Sequence, residues 1–157
     1  MKGSKRQKRL WHSFKHALNG IAYVIDSQRN MKIHLGMALI VLVLSVLFNI
    51  SGAEMIWVIF AIFFVLCMET LNTAIERTVD LMTTEYHPLA KLAKDISAGA
   101  VLFATAFAVV TGILVFAAPI LKYFSLDIGW TLEVPVIMLI LGFLLFVTLF
   151  TRLKRKE

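Results

Sequence analysis

The sequence predicts an all-α integral membrane protein, with an amphipathic N-terminal surface helix, four transmembrane helices and both chain ends in the cytoplasm. Three observations carry that reading. Of 157 residues, 59% are hydrophobic and 17% charged, and the mean hydropathy is +0.82. Water-soluble domains usually carry about 25% charged residues and about 45–50% apolar ones. Long runs lack Asp, Glu, Lys and Arg altogether, and the 16 Lys and Arg residues gather on alternate connecting segments. The single Cys67 excludes an internal disulfide framework and any multi-cysteine zinc site. A net charge of +6 alone would admit nucleic acid as a partner, but the placement of the charges ties them to membrane orientation, and no nucleic-acid partner is expected.

At the N-terminus Leu10, Phe14, Leu18, Ile21 and Ile25 recur every three or four residues, with His12, Lys15, His16, Asn19 and Asp26 between them. That period describes a helix lying at the membrane surface. Residues 10–32 lack the unbroken apolar core of a secretory signal, so no cleavage is expected. Ser27-Gln28-Arg29-Asn30 reads as the turn into the first span. Residues 33–53 and 96–121 are charge-free runs of 21 and 26 residues. Either crosses a hydrocarbon core of roughly 30 Å, for which about 20 residues suffice. A third run, 134–151, has 18 residues with Pro135 near its start, where the missing N–H does little harm. Residues 55–68 are only 14 before Glu69 interrupts. If they cross too, fifteen of the sixteen basic residues fall on the cytoplasmic side, as the positive-inside bias requires. The segment is therefore expected to span and to continue as a helix into the cytoplasm, until the stretch before Pro88 breaks it.

That second span carries the chemistry. Glu69, Asn72, Glu76 and Asp80 lie at i, i+3, i+7 and i+11, which is one face of one helix. Glu69 stands roughly 10 Å closer to the bilayer centre than Glu76. An ionisable group at membrane depth costs about 2.5–3.5 kcal/mol on insertion scales, so its default reading is functional, here as a general base. The bland alternative is that Glu69 and Asn72 only bond helices together. Metal-bearing helical bundles that use Glu-x-x-His pairs do not match, because Asn72 and Val79 follow Glu69 and Glu76 at that spacing. Oxygen ligands such as Glu76 and Asn72 suit Mg²⁺, which keeps waters and completes its shell on substrate phosphates. Glu85, Tyr86, His87, Lys91, Lys94 and Asp95 follow on the cytoplasmic side, although Lys91 and Asp95 also fit an ordinary i,i+4 pair. The chain has no GxxxxGK[ST] loop and no protein-kinase signature. A membrane-depth base joined to a water-exposed metal and cations suits phosphoryl transfer from a soluble nucleotide to a lipid hydroxyl.

The combination Glu69-x-x-Asn72-x-Ala74-Ile75-Glu76-x-x-Val79-Asp80, then Glu85-Tyr86-His87, then Ala93-Lys94-Asp95, with Ala98 and Ala100-Val101 beyond it, resembles the prokaryotic diacylglycerol kinase and undecaprenol kinase family. The resemblance covers residues 9 to about 120. It implies a homotrimer in a bacterial cytoplasmic membrane that uses MgATP to phosphorylate a lipid alcohol at the cytoplasmic face. By position, Glu69 resembles the catalytic base, with Asn72 and Asp80 in the same site. Glu76 resembles a metal ligand. Arg9, His16, Gln28, Glu85, Tyr86, His87, Lys94 and Asp95 fall at nucleotide-site positions, and Ser97, Ala98, Gly99 and Ala100 along the lipid path beside Glu69.

Two departures stand out. Gln28 occupies the place of a second metal-binding Glu and keeps a carbonyl oxygen without the charge, with Asp26 nearby. His16 replaces a common tyrosine. The expected organisation is a kinase unit over residues 1–120 and an added loop, span and basic tail over 121–157. The run Gln28-Arg29-Asn30-Met31-Lys32-Ile33-His34 resembles members acting on undecaprenol, and diacylglycerol is the alternative acceptor. Readings from other classes are a small transporter or proton relay built on Glu69, and an inactive structural homologue, to which Gln28 points.

Overall fold

The computed structural model describes the backbone of residues 2–124 and the side chains of residues 9–124; the expected fourth span, 134–151, lies outside the described residues. Within them the chain forms four helices: α1 (Lys2–Ser27), α2 (Arg29–Leu47), α3 (Gly52–Met82) and α4 (Pro88–Tyr123). Three of these, α2, α3 and α4, are long and apolar enough to cross a membrane.

The surface helix ends at Ser27, and Gln28 alone makes the break before α2, in extended conformation (φ −103°, ψ 120°). The turn expected over four residues is thus a single one. Leu10, Phe14, Leu18 and Ile21 remain exposed along one stripe of α1, as an interfacial helix needs. Arg77 of α3 stacks on the Tyr23 ring at 5.5 Å and ties α1 to the bundle.

The charge-free run at 33–53 is not one helix. α2 stops at Leu47, Asn49 takes a left-handed conformation (φ 51°), and Ser51 starts α3. Ser51 and Glu54 form a capping box, the hydroxyl accepting from the Glu54 N–H at 3.3 Å and the carboxylate from the Ser51 N–H at 3.0 Å. The absence of charge marks a segment as able to span but does not mark its ends. Local capping chemistry does.

α3 has 31 residues, or roughly 46 Å at 1.5 Å each, longer than the hydrocarbon core. Its last third therefore leaves the apolar zone without leaving the helix. Pro88 occupies the first turn of α4, where it needs no hydrogen-bond partner, and His87 caps that turn, its Nδ1 accepting from the Leu89 N–H at 3.2 Å. α3 and α4 form the most extensively packed pair, an antiparallel hairpin; α2 lies on α3. Near the Phe48 turn the hairpin closes over Val58, Val115 and Phe116, flanked by Val41, Leu44, Phe48 and Ile62.

Candidate active site

The polar stripe of α3 grades from buried to open. Glu69 is 1% exposed and Asn72 8%, Glu76 is half-buried, and Asp80 is exposed. Thr73 is also buried and returns its hydroxyl to the Glu69 carbonyl at 2.9 Å. The Glu69 oxygen Oε2 is buried and has no hydrogen-bond partner among the described residues. An unpaired buried carboxylate oxygen is costly. His34 of α2 and Glu76 are the titratable groups close enough to act on Glu69 electrostatically.

Beside Glu69 an apolar groove of about 260 Å³ runs toward the Phe48 end, between α2, α3 and α4. Val65 and Leu66, one turn from Glu69, line it together with Ala38, Val58 and Gly112, and His34 brings its main polar group. Small side chains on all three helices leave the space.

Toward the other end, Asp80, Thr83, Glu85, Tyr86, His87 and Lys94 surround an open cleft of about 570 Å³. Lys94 reaches across from α4 to form an ion pair with Asp80, bridging the hairpin just below the turn. Thr83 orders that turn by accepting from the Glu85 N–H at 3.2 Å. His87 commits Nδ1 to its cap, which leaves Nε2 for a ligand. Asp95 pairs with Lys91 at 3.6 Å, both side chains more than half exposed, which is the ordinary i,i+4 contact that the spacing allowed.

Asn72 joins the two regions. Its Nδ2 donates to Glu76 Oε1 at 3.1 Å, and its Oδ1 accepts from Ser97 Oγ at 2.6 Å. Ser97 is buried between α4 and α3, whereas Ala98 and Ala100 are exposed and Gly99 half-buried. Gln28 is half-buried at the α1–α2 break, with no side-chain cap bond. Arg9 and His16 stand exposed on α1, His16 stacked on His12 with centroids 6.5 Å apart, and neither lines the cleft. The structure thus gathers Glu69, Asn72, Glu76 and Ser97 into one cluster, and Asp80, Glu85, Tyr86, His87 and Lys94 into the adjoining one.

Sequence reasoning read His34 only as the end of the Gln28–His34 run and gave it no place in the site, although it is the one ionisable side chain in the first charge-free run. Treating any such residue at membrane depth as a site candidate would have singled it out.

Comparisons with known proteins follow the same residues. The family model for prokaryotic diacylglycerol kinase matches residues 15–116. The chain is 41% identical over 108 residues to an undecaprenol kinase of Bacillus subtilis, a match spanning 69% of this chain and 88% of that one. It is 37% identical over 111 residues to a diacylglycerol kinase of Synechocystis, spanning 70% of this chain and 63% of the relative. To a diacylglycerol kinase of Escherichia coli it is 36% identical over 73 residues, 46% of this chain and 60% of the relative.

Proposed function

The chain belongs to the prokaryotic diacylglycerol kinase family and is a lipid kinase with ATP as its phosphoryl donor, and we propose that its acceptor is undecaprenol, phosphorylated at the cytoplasmic face of a bacterial membrane. The observation that carries the mechanism is the buried, unpartnered Glu69 oxygen, one turn of α3 from the apolar groove and on the same helix face as Asp80, which lines the polar cleft. The choice of acceptor is supported by the higher identity to the Bacillus subtilis undecaprenol kinase and by the Gln28–His34 run. In this reading both chain ends are cytoplasmic, residues 1–120 are the kinase unit, residues 121–157 add a loop, a fourth span and a basic tail, and the enzyme assembles as a homotrimer.

The donor set fits Mg²⁺ carried mainly by nucleotide. Glu76 spends one oxygen on Asn72 and keeps the other, and no group of three His, Cys, Asp or Glu side chains comes together among the described residues to cage an ion alone. One carboxylate with an amide oxygen suits an ion that takes its remaining ligands from water and phosphates. Glu76 and Gln28 are the residues that would hold it. When bound, the ion neutralises phosphate charge and orients the γ-phosphoryl group.

The chain's own residues do the rest. Lys94, braced by Asp80, offers positive charge in the cleft that Glu85, Tyr86 and His87 line for the nucleotide; Asp95, Arg9 and His16 lie outside that lining and are assigned to the nucleotide by the family resemblance alone. The lipid chain follows the groove and the Ser97–Ala100 stretch. Glu69 accepts the proton of the lipid hydroxyl as its oxygen bonds to the γ-phosphorus and the bond to the β-phosphate oxygen breaks, releasing ADP. Catalysis of this kind is chiefly positioning and electrostatic stabilisation.

The test is ATP-dependent labelling by the purified protein, with undecaprenol and diacylglycerol offered separately. The expected result is faster labelling of undecaprenol. Preference for diacylglycerol would reverse the acceptor, and labelling of neither would return the chain to a relay or an inactive homologue.

A further inference from the structure

The hydrogen-bond chain across the hairpin has a direction. Asn72 has one accepting end and one donating end, while an ionised Glu76 only accepts. Nδ2 must therefore face Glu76, as it does at 3.1 Å, which leaves Oδ1 as a buried acceptor aimed at α4. The group that meets it is the Ser97 hydroxyl at 2.6 Å. That hydroxyl has a competing acceptor in the Lys94 carbonyl, 2.9 Å away in its own helix, and the Asn72 contact is the shorter. Thr73, the neighbouring buried hydroxyl on α3, is committed to the Glu69 carbonyl. With Ser97 removed, no other described side chain donates to Oδ1, and nothing on α4 favours the amide orientation that tethers Glu76.

We infer that Ser97 is a positioning residue for the nucleotide end of the site: its hydroxyl fixes the Asn72 amide, and the amide holds Glu76 toward the cation-bound phosphates. This rests on the proposed role of Glu76. It gives Ser97 a role beyond lining the lipid path, and the two roles are read by different parameters. A lipid contact alters the acceptor KM, whereas the tether alters the affinity for the cation–nucleotide pair.

The experiment is equilibrium binding of Mn²⁺ to the full-length protein in lipid nanodiscs with a non-hydrolysable ATP analogue, followed by the electron paramagnetic resonance of free Mn²⁺. Ser97→Ala should weaken binding about three- to tenfold, the scale of one lost hydrogen bond between neutral groups. Ser97→Thr, which keeps the hydroxyl, should stay near the parent. Adding Ser97→Ala to Asn72→Ala should change nothing further, because the Ser97 effect passes through Asn72. Should Ser97→Ala fail to assemble, Ser97→Val against Ser97→Thr decides, since the two share a shape and differ in the hydroxyl. Parent-like Mn²⁺ binding in the variants lacking the hydroxyl, or an additive loss in the double variant, overturns the inference. The control is Glu76→Gln: if it binds Mn²⁺ like the parent, the metal role of Glu76 falls and the inference falls with it. If Glu76→Gln weakens binding while Ser97→Ala does not, only the inference fails.

Discussion

Near the Phe48 turn the α3–α4 hairpin closes over Val58, Val115 and Phe116, and the Phe48 ring meets Phe116 and Tyr123 edge-on at 6.4 and 6.1 Å. Near the Thr83 turn the same two helices close over Glu69, Asn72, Thr73 and Ser97. The first interior is held by packing alone, which survives local changes of shape. The second is held by polar groups that must find one another, and it leaves one carboxylate oxygen unpaired. In the proposed reading one hairpin therefore serves as anchor at one end and as reactive site at the other. The price of reactivity is confined to the end where the helices approach water.

The sharpest way to separate the two ends is to remove the unpaired carboxylate. Glu69→Gln keeps the shape and should lower kcat about 10²–10⁴-fold, the range of a general base, while thermal stability stays at or above that of the parent. A nearly normal rate would remove Glu69 as the base. At the other end, Phe116→Ala should cost about 1–3 kcal/mol, less than in a soluble core because the side chain exchanges its packing for lipid rather than for water when the helices separate. Its turnover per folded molecule should be unchanged, read from thermal inactivation beside initial rates.

Two smaller effects refine the contrast. Lys94→Met should raise the KM for MgATP about three- to tenfold, on the order of one lost contact at a solvent-screened charge, yet scarcely move stability, since an exposed ion pair contributes about 0–1 kcal/mol. Comparable loss of stability and of nucleotide affinity would make Lys94 a structural clasp. Ser51→Ala removes the capping box and should destabilise α3 by about 0.5–2 kcal/mol with an unchanged KM for both substrates. Altered nucleotide affinity there would mean that the two ends are coupled.

The site end was legible in the sequence to the extent that helical period dictates it. Glu69, Asn72, Glu76 and Asp80 share a face because 3.6 residues make a turn, and an acidic residue so deep has few uses other than chemistry. The N-terminal amphipathic helix and the break before Pro88 were legible for similarly local reasons. The end of α2 was hidden inside a charge-free run, although Asn49 and the Ser51–Glu54 pair carried the signal. The Ser97–Asn72 bond was not legible, because the two residues are 25 positions apart and meet only through the tertiary register of the hairpin. The same holds for His34, whose approach to Glu69 depends on how α2 lies against α3.

The measurement that tests the account most directly is a labelling scan along the stripe. In a Cys67→Ala background, which removes the native thiol, single cysteines at positions 69, 72, 76 and 80 are treated with a membrane-impermeant maleimide in sealed vesicles of either orientation. Reactivity should come from the cytoplasmic side alone and rise stepwise from 69 to 80, with MgATP shielding position 80. Labelling of 69 and 76 from opposite sides, or equal reactivity at all four positions, would contradict a base at membrane depth sharing one helix face with the nucleotide site.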